Sequence, residues 1–196
     1  MPDSSSKIRR EYRLLRRSIG NREQLANARH VARHLLNSGL LLRTGAIAAY
    51  LPNQADGELD TAPALAQIWA MGKRLVLPVV ARDRRPLMDF FDYQPGSRLV
   101  TNRYGIAEPA PGSAHINGRA VTIMLLPLVA FDDQGTRLGM GAGYYDRYLG
   151  RLPRRLRPRL IGIGHEIQRS PRPLAHGAWD VPLDDVITER GWQRFR

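Results

Sequence analysis

The chain has 196 residues, 43% of them hydrophobic, which is enough for one domain to bury its own core and argues against wholesale disorder. It has no cysteine, which excludes disulfides, thiolate metal sites and cysteine nucleophiles. The formal charge of +12, from 30 Lys+Arg against 18 Asp+Glu, points to anionic company: nucleic acid, nucleotide phosphates or polycarboxylates.

The opening "MPDSSSKIRR" lacks an apolar signal core, and no run reaches the roughly 18 apolar residues of a membrane span. A soluble, cytoplasmic protein with no membrane partner is expected. Residues 7–19 place Ile8, Tyr12, Leu15 and Ile19 on one face of a basic helix, with arginines over the rest. Asn21 followed by Gln24 resembles a capping box. The helix it would start buries Leu25, Ala28, Ala32, Leu35 and Leu36 and ends near Gly39. "GAIAAYL" at 45–51 predicts a buried strand, Thr61 caps a helix carrying Leu65, Ile68 and Trp69, and "RLVLPVV" at 74–80 predicts a second strand. This β–loop–α–β order implies parallel pairing with a right-handed crossover. A strand at 86–93 is followed by turn signals, so 94–119 is expected to be irregular. "VTIMLLPLVAF" at 121–131 reads as a central strand covered on both faces. The glycine loop of "RLGMGAGYYDRYL" at 137–149 would leave its carboxyl end and start a helix. Further strands are expected at 160–165 and 184–189. The fold class is α/β, a three-layer sandwich with a mainly parallel sheet in a single domain spanning 1–196.

Ligands of such sheets bind beyond the carboxyl ends of the strands. Gly139, Gly141 and Gly143 let backbone N–H groups approach a phosphate, or simply make a turn. The loop has neither the Gly-Lys-Ser/Thr of a Walker loop nor the G-x-G-x-x-G spacing. Asp146 in the first helical turn would repel a phosphate unless Mg²⁺ stood between them; otherwise it offsets the helix dipole. Arg137 neutralises a phosphate or is a solvated loop residue. Tyr144 and Tyr145 flank a ring, bind a phosphate, or pack. The five histidines show no metal-like spacing and read as surface residues or as supports behind a site.

Taken together, "LPLVAFDDQGTRLGMGAGYYDRYL" at 126–149, "AAYLPNQADGELDT" at 48–61, "GKRLVLPVV" at 72–80, "YGIAEP" at 104–109 and "WDVPLDDVITE" at 179–189 resemble the 5-formyltetrahydrofolate cyclo-ligase family, also called methenyltetrahydrofolate synthetases. The basic amino-terminal helix resembles that family's first helix as well. The resemblance implies a Rossmann-like sandwich that converts ATP and 5-formyltetrahydrofolate to ADP, phosphate and 5,10-methenyltetrahydrofolate with Mg²⁺. It places ATP against Arg137, Leu138, Gly139, Met140, Gly141, Ala142, Gly143, Tyr144 and Tyr145, with Lys7 and Arg9 near the phosphates. Leu51, Glu58 and residues 140–144 would border the folate, which can carry a polyglutamate tail. Asp146 and Asp180 would bind the metal, with Asp184 and Asp185 as competitors, and Arg137 and Tyr144 would act in catalysis. Some family members carry a lysine where this chain has Ala142, which shifts phosphate neutralisation onto Arg137, the amino-terminal cations and Mg²⁺. A sugar-phosphate isomerase or CoA-transferase relative would use the same sandwich without ATP. An RNA-binding module is the other rival, but aromatic residues are sparse among the arginine runs and no RNA motif is present, so specific nucleic-acid binding is not expected.

Overall fold

A computed structural model of the chain describes residues 4–42, 44–81 and 87–195. Two helices come first, α1 (Ser4–Arg17) and α2 (Asn21–Asn37). Then follow β1 (Ala46–Ala48), α3 (Ala62–Ala70), β2 (Leu75–Val80) and β3 (Met88–Tyr93). Pro86, the first residue of the expected third strand, lies outside the described residues. Short strands β4 (Leu99–Thr101), β5 (Ala107–Pro109) and β6 (His115–Ile116) occupy the stretch expected to be irregular. β7 (Val121–Pro127) leads into a small hairpin of β8 (Ala130–Phe131) and β9 (Arg137–Leu138), and then to α4 (Tyr144–Gly150). Last come β10 (Arg159–Ile163), β11 (Asp185–Thr188) and β12 (Gly191–Arg194).

The main sheet has the order β12-β11-β10-β7-β1-β2-β3-β6. Its five middle strands run parallel, and β12, β3 and β6 join antiparallel at the edges. The expected β1–α3–β2 crossover is present, with Ile47 opposite Leu75 and Ala48 opposite Val76. Because side chains alternate along a strand, each middle strand feeds two cores. Ile47, Leu75, Ile123 and Ile161 pack with Val31 and Leu35 of α2 and Leu65 and Ile68 of α3. Val76, Phe90, Met124 and Leu126 pack on the opposite face with Leu149 of α4. Tyr12 of α1 packs separately on Val129, Ala130 and Leu138, which ties α1 to the β8–β9 hairpin.

Several local expectations differ from the structure. Gly20, not Asn21, is the N-cap of α2, and its carbonyl accepts the Gln24 N–H at 2.9 Å. The Gln24 side chain is diverted to the Gly57 carbonyl, so no capping box forms. The buried stripe of α2 runs through Asn27, Ala28, Val31, Ala32 and Leu35, leaving Leu25 exposed and Leu36 half-buried. Thr61 does precede α3, but its hydroxyl donates to the Tyr50 carbonyl at 2.8 Å instead of capping. The expected strand at 121–131 is cut at Pro127. Asp132 folds the next residues back by accepting the Gln134 and Thr136 N–H groups, both at 2.9 Å. The glycine loop therefore leaves β9 and not the central strand.

Candidate active site

Just past β1 (Tyr50, Leu51), at the end of β2 (Val80) and past β7 (Leu128), the chain frames a cleft of about 510 Å³. This is the carboxyl edge of the parallel strands, where connecting loops diverge and leave room for a ligand. Residues 137–146 line one side, and Asn53 and Glu58 face it from the loop after β1. The β4–β5 hairpin brings Asn102 and Tyr104 to the cleft, while Arg9 and Asp180 reach it from α1 and from the segment before β11. All the site residues expected from the sequence meet here except Lys7, which is exposed on α1 and is not part of the lining.

Within the glycine loop, Gly141 and Gly143 have φ of +98° and +68°, a region that L side chains rarely adopt. Arg9 Nε donates to the Gly139 carbonyl at 2.9 Å. Its guanidinium lies 3.6–3.9 Å from where a Cβ on Gly141 would stand, so a cation rests directly against the bare loop. Arg147 donates to the Ala142 carbonyl from the loop's far side.

Arg137 and Asp146, expected to serve a phosphate and a metal separately, pair with each other. Arg137 Nη2 lies 2.5 Å from Asp146 Oδ1, and the same oxygen accepts the Val181 N–H at 3.2 Å. Arg137 Nε is buried with no partner, an unmet donor beside the loop. Asp180 is exposed, and its Oδ2 accepts the Gly177 N–H at 2.7 Å within a turn. The Val181–Asp146 bond brings that turn against the start of α4, so two carboxylates border one corner of the cleft. The competing aspartates serve the opposite edge of the sheet. Asp184 accepts the Leu160 N–H at the start of β10, and the fully buried Asp185 takes Arg159 and the Trp192 indole N–H. Among the described residues no three His, Cys, Asp or Glu side chains form a metal cage. A cation here would rest on one or two carboxylates plus ligand oxygens, which is the usual donor set of Mg²⁺.

On the facing side, Glu58 Oε2 accepts the Asn53 N–H at 2.9 Å. Burial raises its carboxyl above the ordinary range despite that bond and the nearby Arg16. Burial and the Glu58 charge also push the hydroxyls of Tyr50 and Tyr145 well up, so both stay protonated at neutral pH. Tyr144 is held at the mouth by Arg103 and by a 2.9 Å hydrogen bond with Tyr104.

The sequence reading missed Arg16 and Asp56. Arg16 is 1% exposed, although the helical pattern placed it among the outward arginines. It grips Asp56, which Arg13 and Arg17 also reach, and only the spacing of arginines at 13, 16 and 17 hinted at such a cluster. Burial acts to raise Asp56, but the arginines outweigh it and hold its carboxyl below the usual range. His165, expected near the surface or behind the site, is fully buried. Its Nδ1 meets the Asn27 amide at 3.1 Å and its Nε2 has no partner.

The model of the 5-formyltetrahydrofolate cyclo-ligase family matches residues 2–189. The 5-formyltetrahydrofolate cyclo-ligase of Escherichia coli K12 is 34% identical over 174 residues, covering 88% of this chain and 93% of that protein. The structure of Aquifex aeolicus 5,10-methenyltetrahydrofolate synthetase superposes with a TM-score of 0.76 at 29% identity, over 98% of this chain and 93% of that one. The Mycoplasma pneumoniae 5,10-methenyltetrahydrofolate synthetase, at 24% identity and a TM-score of 0.74 over 95% of this chain and 99% of that one, shares the fold. The chain belongs to the 5-formyltetrahydrofolate cyclo-ligase family.

Proposed function

We propose that this protein converts ATP and 5-formyltetrahydrofolate to ADP, phosphate and 5,10-methenyltetrahydrofolate. A formamide carbon is a poor electrophile and its oxygen a poor leaving group. In the proposed route the formyl oxygen attacks the γ-phosphorus and ADP departs. N10 then adds to the activated formyl carbon, loses its proton, and expels phosphate to close the ring. Catalysis of this kind rests on positioning and charge stabilisation.

The observation that carries the reading is the pairing of two unlike walls in one cleft. The loop at 139–143, with Arg9 laid against it and the unmatched Arg137 Nε beside it, suits the ATP phosphates. Leu138 and Tyr145 continue that wall. Glu58 and Leu51, facing it, suit the N–H donors and the ring of the pterin, and Met140 and Tyr144 sit where the two substrates would meet. Asp146 and Asp180 would hold Mg²⁺, which when bound neutralises charge on the phosphates. Phosphate binding would draw Arg137 from Asp146 and free that carboxylate for the cation. Lys7, exposed outside the lining, would act only through its distant charge. The positive charge of the chain suits the carboxylates of a folate tail, polyglutamylated or not.

The test is incubation of pure protein with 5-formyltetrahydrofolate, ATP and Mg²⁺, following the methenyl chromophore and ADP. One ADP per methenyl product, and none without ATP, is the expected result. Methenyl formation without ATP, or none with it, would overturn the reading.

A further inference from the structure

Arg16 is a cation taken almost wholly out of water, and its contacts span both walls of the cleft. Its Nε donates to the Asp56 carbonyl at 2.7 Å, and its Nη1 to the Leu128 carbonyl at 3.0 Å. Its Nη2 pairs with the Asp56 carboxylate, lies 3.5 Å from Glu58 Oε1, and touches the Met140 sulfur at 3.9 Å. One guanidinium thus joins the pterin-side loop, the carboxyl end of β7 and the glycine loop. The loop is pressed close to the helix that carries it: a Cβ on Gly57 would stand 2.8 Å from the Arg16 carbonyl. Burying an arginine costs desolvation, and Asp56 alone, already met by Arg13 and Arg17, does not require Arg16 to extend to Glu58 and Met140.

We propose that Arg16 is a positioning residue for ring closure, holding Asp56 and Glu58 on the folate side at a fixed distance from Met140 on the glycine loop. The proposal rests on the cyclo-ligase reading. The groups acting on Glu58 are Arg16 and Arg13 from α1 and Asp56 and the Asn53 N–H from its own loop, while Tyr50 past β1 and Tyr145 from α4 face it as neutral hydroxyls that its charge keeps protonated. Of these, Arg16 is the cation that reaches its carboxylate directly. Without Arg16, burial and Asp56 act on Glu58 with less opposition, so a larger share of the enzyme carries a protonated Glu58 at a given pH.

The experiment compares wild type, Arg16→Met, Arg16→Lys and Asp56→Asn in the methenyl assay, with KM measured for each substrate and kcat/KM followed from pH 5 to 9. For Arg16→Met we expect the KM for 5-formyltetrahydrofolate to rise at least tenfold, the ATP KM to move less than threefold, and the acid limb to shift to higher pH. Arg16→Lys should recover part of the folate KM, and Asp56→Asn, which loosens the guanidinium, should raise the folate KM by less than Arg16→Met without moving the acid limb upward, because the Asp56 charge itself raises the Glu58 carboxyl. If Arg16→Met does not fold, the other two variants decide. Folded variants with a wild-type folate KM and a wild-type acid limb, changed only in melting temperature, would show Arg16 to be a structural tie and overturn the proposal. No methenyl product from wild type would overturn the cyclo-ligase reading and this proposal with it. Product from wild type with unaffected variants would overturn only the role of Arg16.

Discussion

Asp146→Asn separates the electrostatic work of the cleft from its shape. In the structure Asp146 neutralises Arg137, whose side chain is 6% exposed, while its own side chain is 19% exposed. Removing one partner of a fully buried pair costs roughly 3–5 kcal/mol, because the other charge is left uncompensated. Here the cost is smaller, since the new amide oxygen can still accept from Arg137 and from the Val181 N–H, and some water reaches the site. About 2 kcal/mol is the expectation, within the range for a weakened hydrogen bond to a charged group. For a domain of this size each 1 kcal/mol moves Tm by roughly 2–4 °C, so Asp146→Asn should melt about 4–8 °C lower. Asp180→Asn, on an exposed turn, should melt within about 2 °C of wild type, as surface substitutions do. Both variants should require more Mg²⁺ for half-maximal methenyl formation, and high Mg²⁺ should restore part of the rate. The assays are thermal melts and Mg²⁺ titrations of turnover on all three proteins. A wild-type Tm for Asp146→Asn would refute the stabilising role of the Arg137 pair. A wild-type Mg²⁺ midpoint would remove Asp146 from the metal and leave Asp180 as the carboxylate ligand.

Glu58→Gln should raise the KM for 5-formyltetrahydrofolate about 10- to 100-fold, the roughly 1–3 kcal/mol of a lost charge-assisted hydrogen bond, and leave the ATP KM unchanged in steady-state kinetics. Buried His165 titrates at about 4 in the fold, because burial and then the Arg16 charge oppose its protonation. As pH falls from 6.5 to 4 the unfolded chain takes up this proton first, so stability should fall over that window by about 3 kcal/mol from this group. Urea unfolding across that pH range should show a shallower loss for His165→Gln; equal slopes would remove His165 from the acid response.

The sheet and the glycine loop were legible because their signals are local. Apolar runs bounded by glycine and proline mark β1, β2, β7 and β10, and Ile-Ala or Leu-Val alternation already separates the two faces. What escaped depended on contacts distant in sequence. β8 hides at the end of an apolar run that reads as one strand, β9 falls at the head of the glycine loop, and the Asp132 side chain, by accepting two N–H groups, makes the turn between them. β4 and β5 pair across a Tyr-Gly turn too short and too polar to announce strands. The aspartates of "WDVPLDD" look alike in sequence. They differ only because Asp180 falls at the cleft while Asp184 and Asp185 reach the other end of β10 and β11. Arg137 and Asp146 were both assigned to the cleft, but their mutual pairing follows from the hairpin, which sets β9 beside the start of α4.

The basic first helix shows how charge read along a sequence can mislead about its destination. An arginine-rich face is ordinarily a solvated surface or a polyanion site. In this chain four of the five arginines of α1 take up two duties within the fold, and Arg10 stays exposed. Arg9 lies on the glycine loop, and Arg13, Arg16 and Arg17 converge on Asp56. A carboxylate with only 3% of its side chain exposed and three guanidinium partners is a local concentration of positive charge, held in place by one anion. Only the Arg16 part of that charge lies within the fold; Arg13 and Arg17 keep 36% and 43% of their side chains exposed. The Arg16–Asp56 pair, buried on both sides, is screened little by salt, whereas the exposed arginines are screened within about 10 Å at 0.1 M ionic strength. An anion bound in the cleft would therefore meet a field set in part by the packing of α1 against residues 52–58, to which the net charge of the chain is a poor guide.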